Sequence, residues 1–259
     1  WGYFIMATVS IVIPVHNASR FIEDTIRSII AETYKDWEII LVEDHSSDNS
    51  VECMEALVRE FEEKGRGDKI RIIKSKGRGA AIARNTGIDE AESRYIAFLD
   101  ADDLWEPPKL ERQLKFMART GAAFSFTGYE FADETGVGIE KIVRIPKVMD
   151  YKKALKNTTI FTSTVMFDTE KISKELIKMP DVPSEDTATW WKILRSGYKA
   201  YGLDRALTLY RRSSNTLSSN KKTAIKRIWN LYRNVEKLSL AYSVWCFLFY
   251  AVHAVGRRL

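Results

Sequence analysis

The chain has 259 residues, 45% of them hydrophobic and 29% charged, a balance that suits one large globular α/β domain, alone or with an appendage. Two distant cysteines, Cys53 and Cys246, and three scattered histidines fit neither a disulfide framework nor a zinc site, and they suit a reducing compartment. The net charge of +5 hides an asymmetry: residues 205–259 carry eleven Lys and Arg against Glu236 alone, a balance of +10, which leaves −5 on residues 1–204. An acidic body with a basic tail points to an anionic surface near the tail, whether nucleic acid, lipid headgroups or a phosphorylated substrate.

Residues 1–6 show no basic n-region and no small-residue cleavage site, so no secretory signal is expected, and Met6 is a candidate natural start. Residues 9–15 form an apolar run broken only by Ser10 and ended by Pro14, which predicts a buried strand. Asn17 or Ser19 is placed to cap a following helix, in which Ile22, Ile26, Ile29 and Ile30 share one face. Residues 37–42 predict a second buried strand that ends at Glu43-Asp44. A capping cluster, Ser46 to Ser50, then opens a helix faced by Val51, Met54, Val58 and Phe61. Residues 70–73 predict a third strand, residues from about 80 to 91 a short helix, and residues 95–99 a fourth strand.

This alternation implies right-handed crossovers and a parallel sheet covered on both faces. The four strands end in His16-Asn17, Glu43-Asp44, Ser75-Lys76 and Asp100 to Asp103, so one sheet edge collects the polar groups. The second half is mixed. Pro107-Pro108 starts a helix to about Thr120, residues 122–131 and 139–145 read as strands around the turn Asp133-Glu134-Thr135-Gly136, and residues 158–167 are β-rich. Residues 185–195 predict a helix closed by Ser196-Gly197, residues 198–203 and 206–211 two short strands, and residues 220–259 a mostly helical tail. No internal repeat or low-complexity tract interrupts the chain.

The densest chemistry is Asp100-Ala101-Asp102-Asp103, three carboxylates in four residues behind an apolar strand. Carboxylates this close repel unless a cation sits among them. Mg²⁺ or Mn²⁺ takes oxygen ligands and leaves room for substrate phosphates, so the cluster reads as a metal–diphosphate site. Read more plainly, it is an acidic strand-end turn capping the helix after Pro107-Pro108. Gly77-Arg78-Gly79 lacks the third glycine of a dinucleotide fingerprint, and nothing supports an adhesion role for Arg66-Gly67-Asp68.

Five segments in order carry a family resemblance: residues 9–17 (VSIVIPVHN), residues 41–48 (LVEDHSSD), Gly79 with residues 83–87 (ARNTG), residues 100–103 (DADD) and Glu185-Asp186. Together they resemble the motifs of family 2 of the inverting glycosyltransferases, over about residues 8–212. The resemblance implies the GT-A fold: a Rossmann-like, mostly parallel central sheet flanked by helices. It also implies a nucleotide-binding half over about 8–104, an acceptor half over about 105–212, a nucleotide-sugar donor and a divalent metal.

The resemblance puts Asp44 on the base or ribose, His16 in the place of a stacking aromatic, and Asp100 and Asp102 at the metal, with Asp103 behind them. It makes Asp186 the catalytic base. Pro14, Asn17, Gly79 and Ala101 belong to the same donor-binding set, with Lys76 and Arg84 as candidates to neutralise diphosphate or orient the nucleotide. Glu43 stands where the family usually has Asp, and His45 where it usually has Gly. Plainer readings stand beside these: Asp44 as a helix cap, His16 as a solvated strand-end residue, Arg84 paired with the carboxylates, and Glu185-Asp186 as an ordinary acidic helix start. Trp190 and Trp191 suit an acceptor wall or the core. Tyr210-Arg211-Arg212 and the polar run after it resemble the late loop that closes over diphosphate, with Arg211 or Arg212 as its cation. The Gln-x-x-Arg-Trp of processive synthases is missing, which argues for addition of one sugar.

Residues 238–256 carry no formal charge, about enough to span hydrocarbon, yet Ser239, Tyr242, Ser243, Cys246, Tyr250 and His253 form a weakly polar stripe. Leu240, Val244, Phe247, Leu248, Ala251 and Val255 lie off it. Residues 213–259 therefore predict a basic amphipathic tail in an anionic bilayer interface, with packing on the body and a true span as the alternatives. The expected activity is metal-dependent, inverting transfer of one hexose-type sugar from a UDP-sugar to a hydroxyl of a saccharide acceptor. The resemblance to capsule, O-antigen and teichuronic acid enzymes suggests that the acceptor is polyprenyl-diphosphate-linked, at the cytoplasmic face of the membrane, with no nucleic-acid partner. A sugar-phosphate nucleotidyltransferase would want a Gly-rich basic loop where Pro14-Val15-His16-Asn17 stands, and a non-enzymatic membrane binder would leave the carboxylates without a role.

Overall fold

A computed structural model describes residues 8–212 and 221–256. Its centre is a ten-stranded sheet. Strand β1 (Val9–Val15) lies between β2 (Trp37–Glu43) and β4 (Tyr95–Phe98), both parallel to it, and β3 (Ile70–Lys74) extends the parallel block beyond β2. Helices α1 (Ile22–Ile30) and α2 (Ser50–Glu63) cover one face, and α3 (Ala80–Glu90) covers the other. Along β1, Ile11 and Ile13 pack with Ile22, Ile26 and Met54, while Val12 packs with Ala83 and Ile88 on the opposite side. Burial on both faces explains why the strand reads as an unbroken apolar run rather than an alternating one.

The second half continues the sheet with mixed pairing. Helix α4 (Lys109–Thr120) follows the short β5 (Leu104–Trp105), and β6 (Phe124–Ala132) folds back with β7 (Gly138–Val143). After β8 (Val148–Met149) and α5 (Tyr151–Ala154), β9 (Met166–Asp168) runs antiparallel between β4 and β6. Helices α6 (Lys174–Ile177) and α7 (Glu185–Arg195) precede β10 (Ala200–Arg211), which lies parallel to β6 and antiparallel to β5.

Several local expectations need correction. The two strands expected over 198–211 are the single strand β10, bulged at Asp204-Arg205, where the Asp204 carboxylate accepts from the Ile145 N–H at 3.1 Å and pairs with Arg144 at 3.0 Å. The β-rich reading of 158–167 yields only β9. Thr162, Ser163 and Thr164 form a 3₁₀ turn, in which the Thr164 hydroxyl bonds back to the Phe161 carbonyl, a competition with ladder pairing that Ser and Thr commonly win. Neither Asn17 nor Ser19 caps α1. The Asn17 side chain instead accepts from the Ser47 N–H at 2.7 Å, tying the loops after β1 and β2 together.

The tail folds as α8 (Lys221–Asn230), a π turn (Leu231–Val235) and α9 (Leu240–Gly256). It shares the core of the body rather than standing apart as a separate unit. Tyr232 stacks on Trp191 with ring centroids 5.2 Å apart and planes 10° from parallel, and its hydroxyl donates to the Leu155 carbonyl. The buried Glu236 pairs with Arg195 at 2.7 Å and accepts from the Tyr151 hydroxyl. Trp190 and Trp191 are core residues, packed against Phe124, Phe167 and Tyr232, and do not form an acceptor wall.

Gly87 is where α3 meets the sheet most closely: a Cβ there would lie 2.3 Å from Val12 Cγ1. Gly87→Ala forces the helix off β1, and overpacking of this kind costs about 1–3 kcal/mol. Urea unfolding should show a loss in that range; an unchanged midpoint would contradict the packing described.

Candidate active site

The carboxyl ends of β1, β2 and β4 open onto a cleft of about 650 Å³, lined by Pro14, His16, Asn17, Asp44, Gly79, Arg84, Asp100, Ala101 and Asp102. Nine of the expected donor-site residues thus share one cavity. The structure adds Ala18, Phe21, His45, Arg78 and Ala80. The loops at its mouth are set by left-handed backbone at Asn17 (φ 50°) and His45 (φ 56°). Asn tolerates that conformation, whereas His adopts it at a cost.

Asp44 is buried, and its Oδ2 accepts from the Gly79 N–H at 2.8 Å, just before α3. It therefore joins the β2 loop to the start of α3 and does not cap α2. Its backbone carbonyl accepts from His16 Nδ1 at 2.7 Å, which fixes the imidazole at the exposed rim of the cleft.

The floor is acidic and organised by one guanidinium. Arg84 is buried; its Nη2 donates to Asp100 Oδ1 at 2.6 Å and its Nη1 to Glu185 Oε1 at 2.8 Å. Burial pulls its pKa down, but the charges of Asp100 and Glu185 outweigh that and raise it, so Arg84 is a fixed cation. The next residue, Asn85, clamps the segment before α7 through paired bonds to the Met179 backbone, at 2.7 and 2.8 Å. Arg84-Asn85 thereby brings Glu185-Asp186 to the carboxylate cluster across a hundred residues of chain.

Within the cluster the three aspartates have different environments. Asp102 lines the cleft, and burial, then the neighbouring charge of Asp100, pushes its pKa up to about 6. Asp103 is wholly buried; its Oδ2 accepts from the Ser163 hydroxyl at 2.5 Å and its Oδ1 from the Arg211 N–H at 3.2 Å. Burial and its aspartate neighbours raise its pKa well above the carboxylate range. Ser163 also accepts from the Asp100 N–H at 3.0 Å, so one hydroxyl braces two members of the cluster.

Asp186 sits on the first turn of α7, after Ser184 in the left-handed region (φ 63°). Its carboxylate accepts from the Thr187 N–H at 2.6 Å and the Thr162 hydroxyl at 3.2 Å. Burial, then the charge of Glu185, raises its pKa despite the bond from Thr187 and the nearby Arg84.

Three expected residues lie outside the cleft lining: Asp186, at the start of α7 next to the Glu185 that Arg84 holds, and Lys76 and Arg211. Lys76 is exposed and pairs with Asp89 on α3 at 3.0 Å. Arg211 is buried, 3.3 Å from Asp24, with its guanidinium 4.9 Å from the ring centroid of Phe21, so it touches the cleft through that ring. Arg212 lies over Phe131, and residues 213–218 of the expected closing loop fall outside the described residues. Thr162 and Ser163 escaped the sequence reading because they lie far in the chain from the motifs, and Phe21, four residues past the first motif, carries no polar group to mark it; the Arg84-Asn85 dipeptide was visible, but its partners were not.

Among the described residues no three metal-ligating side chains converge. Asp100 and Asp102 nevertheless present oxygen donors to the cleft, and the repulsion that raises Asp102 is what a cation would relieve. Two carboxylates with water and phosphate oxygens completing the shell suit Mg²⁺ or Mn²⁺, whereas a dedicated all-protein cage is the habit of other ions.

Residues 10–176 match the family model described as Glycosyl transferase family 2. The chain is 40% identical over 253 residues to TuaG of Bacillus subtilis (strain 168), named for teichuronic acid biosynthesis, covering 97% of each chain. It is 34% identical over 235 residues to WfgD of Escherichia coli, covering 90% of this chain and 88% of that one; WfgD is named as a UDP-Glc:alpha-D-GlcNAc-diphosphoundecaprenol beta-1,3-glucosyltransferase. Among solved structures, the mannosyltransferase PcManGT of Pyrobaculum calidifontis, in complex with GDP-Man and Mn²⁺, aligns with a TM-score of 0.67 at 18% identity. The alignment covers 91% of this chain and 66% of that one, and the shared architecture is the GT-A fold.

Replacing Arg84 with Leu leaves Asp100 and Glu185 facing each other unpaired. Breaking a buried ion pair from one side typically costs about 3–5 kcal/mol, and the partial exposure of both carboxylates places this case near the lower end. Equilibrium unfolding of Arg84→Leu should show that loss, and a change below about 1 kcal/mol would mean that the bridge does not hold the halves together.

Proposed function

The chain belongs to glycosyl transferase family 2, and from that premise we propose that it moves one hexose-type sugar from a UDP-sugar to a hydroxyl of a saccharide acceptor, with inversion at the anomeric carbon. The observation that carries this reading is the Arg84 bridge, which sets Asp186 beside the cleft that holds Asp44, Asp100 and Asp102. A donor bound there has its base toward Asp44 and His16 and its diphosphate toward the aspartates. Asp44 Oδ2 accepts from the Gly79 N–H and Oδ1 lies 3.3 Å from His45 Nδ1; a carboxylate oxygen has two lone pairs, so the carboxylate keeps capacity to accept from a base N–H or a ribose hydroxyl. The His16 ring can stack on the base.

Asp186 takes the acceptor hydroxyl proton. The freed oxygen attacks C1 of the sugar from the face opposite the diphosphate, the C1–O bond breaks, and its electron pair leaves with UDP. Its raised pKa brings this base closer to the pH of the reaction, where general-base catalysis is most effective. Arg84 and Glu185 hold Asp186 in place and touch no reacting atom. Asp102 and Asp100 would hold Mg²⁺ or Mn²⁺, which when bound would supply positive charge against that developing on the leaving diphosphate.

The acceptor is a saccharide of a bacterial surface polymer, linked to a polyprenyl diphosphate and met at the cytoplasmic face of the membrane. WfgD, whose name specifies such an acceptor and UDP-Glc, supports this reading, as does TuaG for the polymer class. The nucleotidyltransferase alternative is set aside, because Pro14-Val15-His16-Asn17 offers no Gly-rich basic loop after β1.

Asp186→Asn should lower kcat by ~10²-fold or more while the Kd for UDP stays near wild type. Wild-type turnover, or loss of UDP binding instead, would place the base elsewhere. Asp102→Asn should abolish metal-dependent UDP binding, read by calorimetry, with the melting temperature preserved; undiminished binding would remove Asp102 from the diphosphate site. NMR of the product should show the anomeric configuration opposite to that of the donor, and retention would exclude the mechanism.

A further inference from the structure

Helix α9 is amphipathic in the inverse sense to an ordinary surface helix. Its small polar residues Ser243 and Cys246 are buried against the body, with Tyr242 and Tyr250 beside them. Its apolar side chains face outward: Leu240 is 60% exposed and Val252 70%, and Val244, Trp245, Leu248 and Val255 complete a continuous stripe. A soluble surface does not expose such a run without a use for it.

The rim of the stripe is cationic. The Lys156 ammonium lies 5.1 Å from the ring centroid of Phe249 and 5.9 Å from that of Trp245. Lys152 and Lys153 on α5 are exposed alongside, and a groove of about 240 Å³ runs between Lys153, Lys156, Phe249 and His253. At 17 residues α9 is about 26 Å long, and among the described residues no helix is long and apolar enough to cross a membrane.

We propose that the outward face of α9 and the lysines of α5 form a docking surface for an anionic lipid bilayer. The helix lies flat, its apolar stripe and the Trp245 and Phe249 rings sink to the headgroup–acyl boundary, and the lysines meet lipid phosphates. A bilayer fits better than a second copy of the chain, because pairing α9 with itself would bring Lys152, Lys153 and Lys156, which rim the stripe, against their own copies, whereas lipid phosphates offer them the opposite charge. This assignment rests on α9, on Lys152 and Lys153 of α5 and on Lys156 just after it, and stands or falls separately from the sugar-transfer chemistry.

Co-sedimentation of the full chain with vesicles tests it. Phosphatidylglycerol vesicles should bind the protein at least ~10-fold better than phosphatidylcholine vesicles. The double variant Leu248→Glu/Val252→Glu, changed only at exposed positions, should lose at least ~10-fold of that binding with its melting temperature and its UDP affinity unchanged. Lys153→Glu/Lys156→Glu should remove the preference for anionic lipid. Equal binding to both vesicles, no binding, or full binding by either variant would overturn the proposal. Light scattering that shows a dimer dissolved by Leu248→Glu/Val252→Glu, with no vesicle binding, would assign the face to a second copy instead.

Discussion

The site depends on a buried guanidinium. Arg84, on α3, reaches Asp100 at the end of β4 with one nitrogen and Glu185 at the start of α7 with another. Without that cation, Asp100, Asp102, Glu185 and Asp186 would be a cluster of like charges in a partly buried space, and they would repel. With it, the two halves of the fold are pinned together at the floor of the cleft. An ion pair of this kind adds little net stability over an apolar substitute, but it is costly to break from one side, so it specifies geometry more than it stabilises.

A second brace works beside the first. Ser163 donates to Asp103 and accepts from the Asp100 backbone, while Asp103 accepts from the backbone of Arg211 at the end of β10. Asp103 is thus turned inward to hold the sheet together, which frees Asp100 and Asp102 to face the cleft. Three adjacent carboxylates take different roles because burial and hydrogen bonding differ at each.

The parallel block was legible from the sequence because its signals are local: apolar runs of strand length, helices with one apolar face, and polar residues where each strand ends. The position of the cleft followed from those endings, since parallel strands bring their carboxyl ends to one edge. What was not legible depends on partners distant in the chain. Ser163 lies 60 residues from Asp103 and carries no spacing signal. At the bulge in β10 Asp204 meets Ile145 and Arg144, and Lys76 pairs with Asp89 on α3 instead of lining the cleft. In the tail the polar stripe was plain, but which side faced the body was not. Ahead of the stripe, Tyr232 packs on Trp191 and bonds the Leu155 carbonyl while Glu236 pairs with Arg195, and α9 then buries Ser243 and Cys246 of the stripe against the body.

An acidic cleft lies at the carboxyl edge of the sheet, and the central proposal is that it consumes a UDP-sugar with the help of a divalent cation. The most direct measurement is release of nucleoside diphosphate from a panel of UDP-, GDP- and TDP-sugars, with Mn²⁺ and again with EDTA. The account predicts release of UDP from one UDP-sugar with Mn²⁺ and none with EDTA. Release only from GDP- or TDP-sugars, or undiminished release in EDTA, would contradict it.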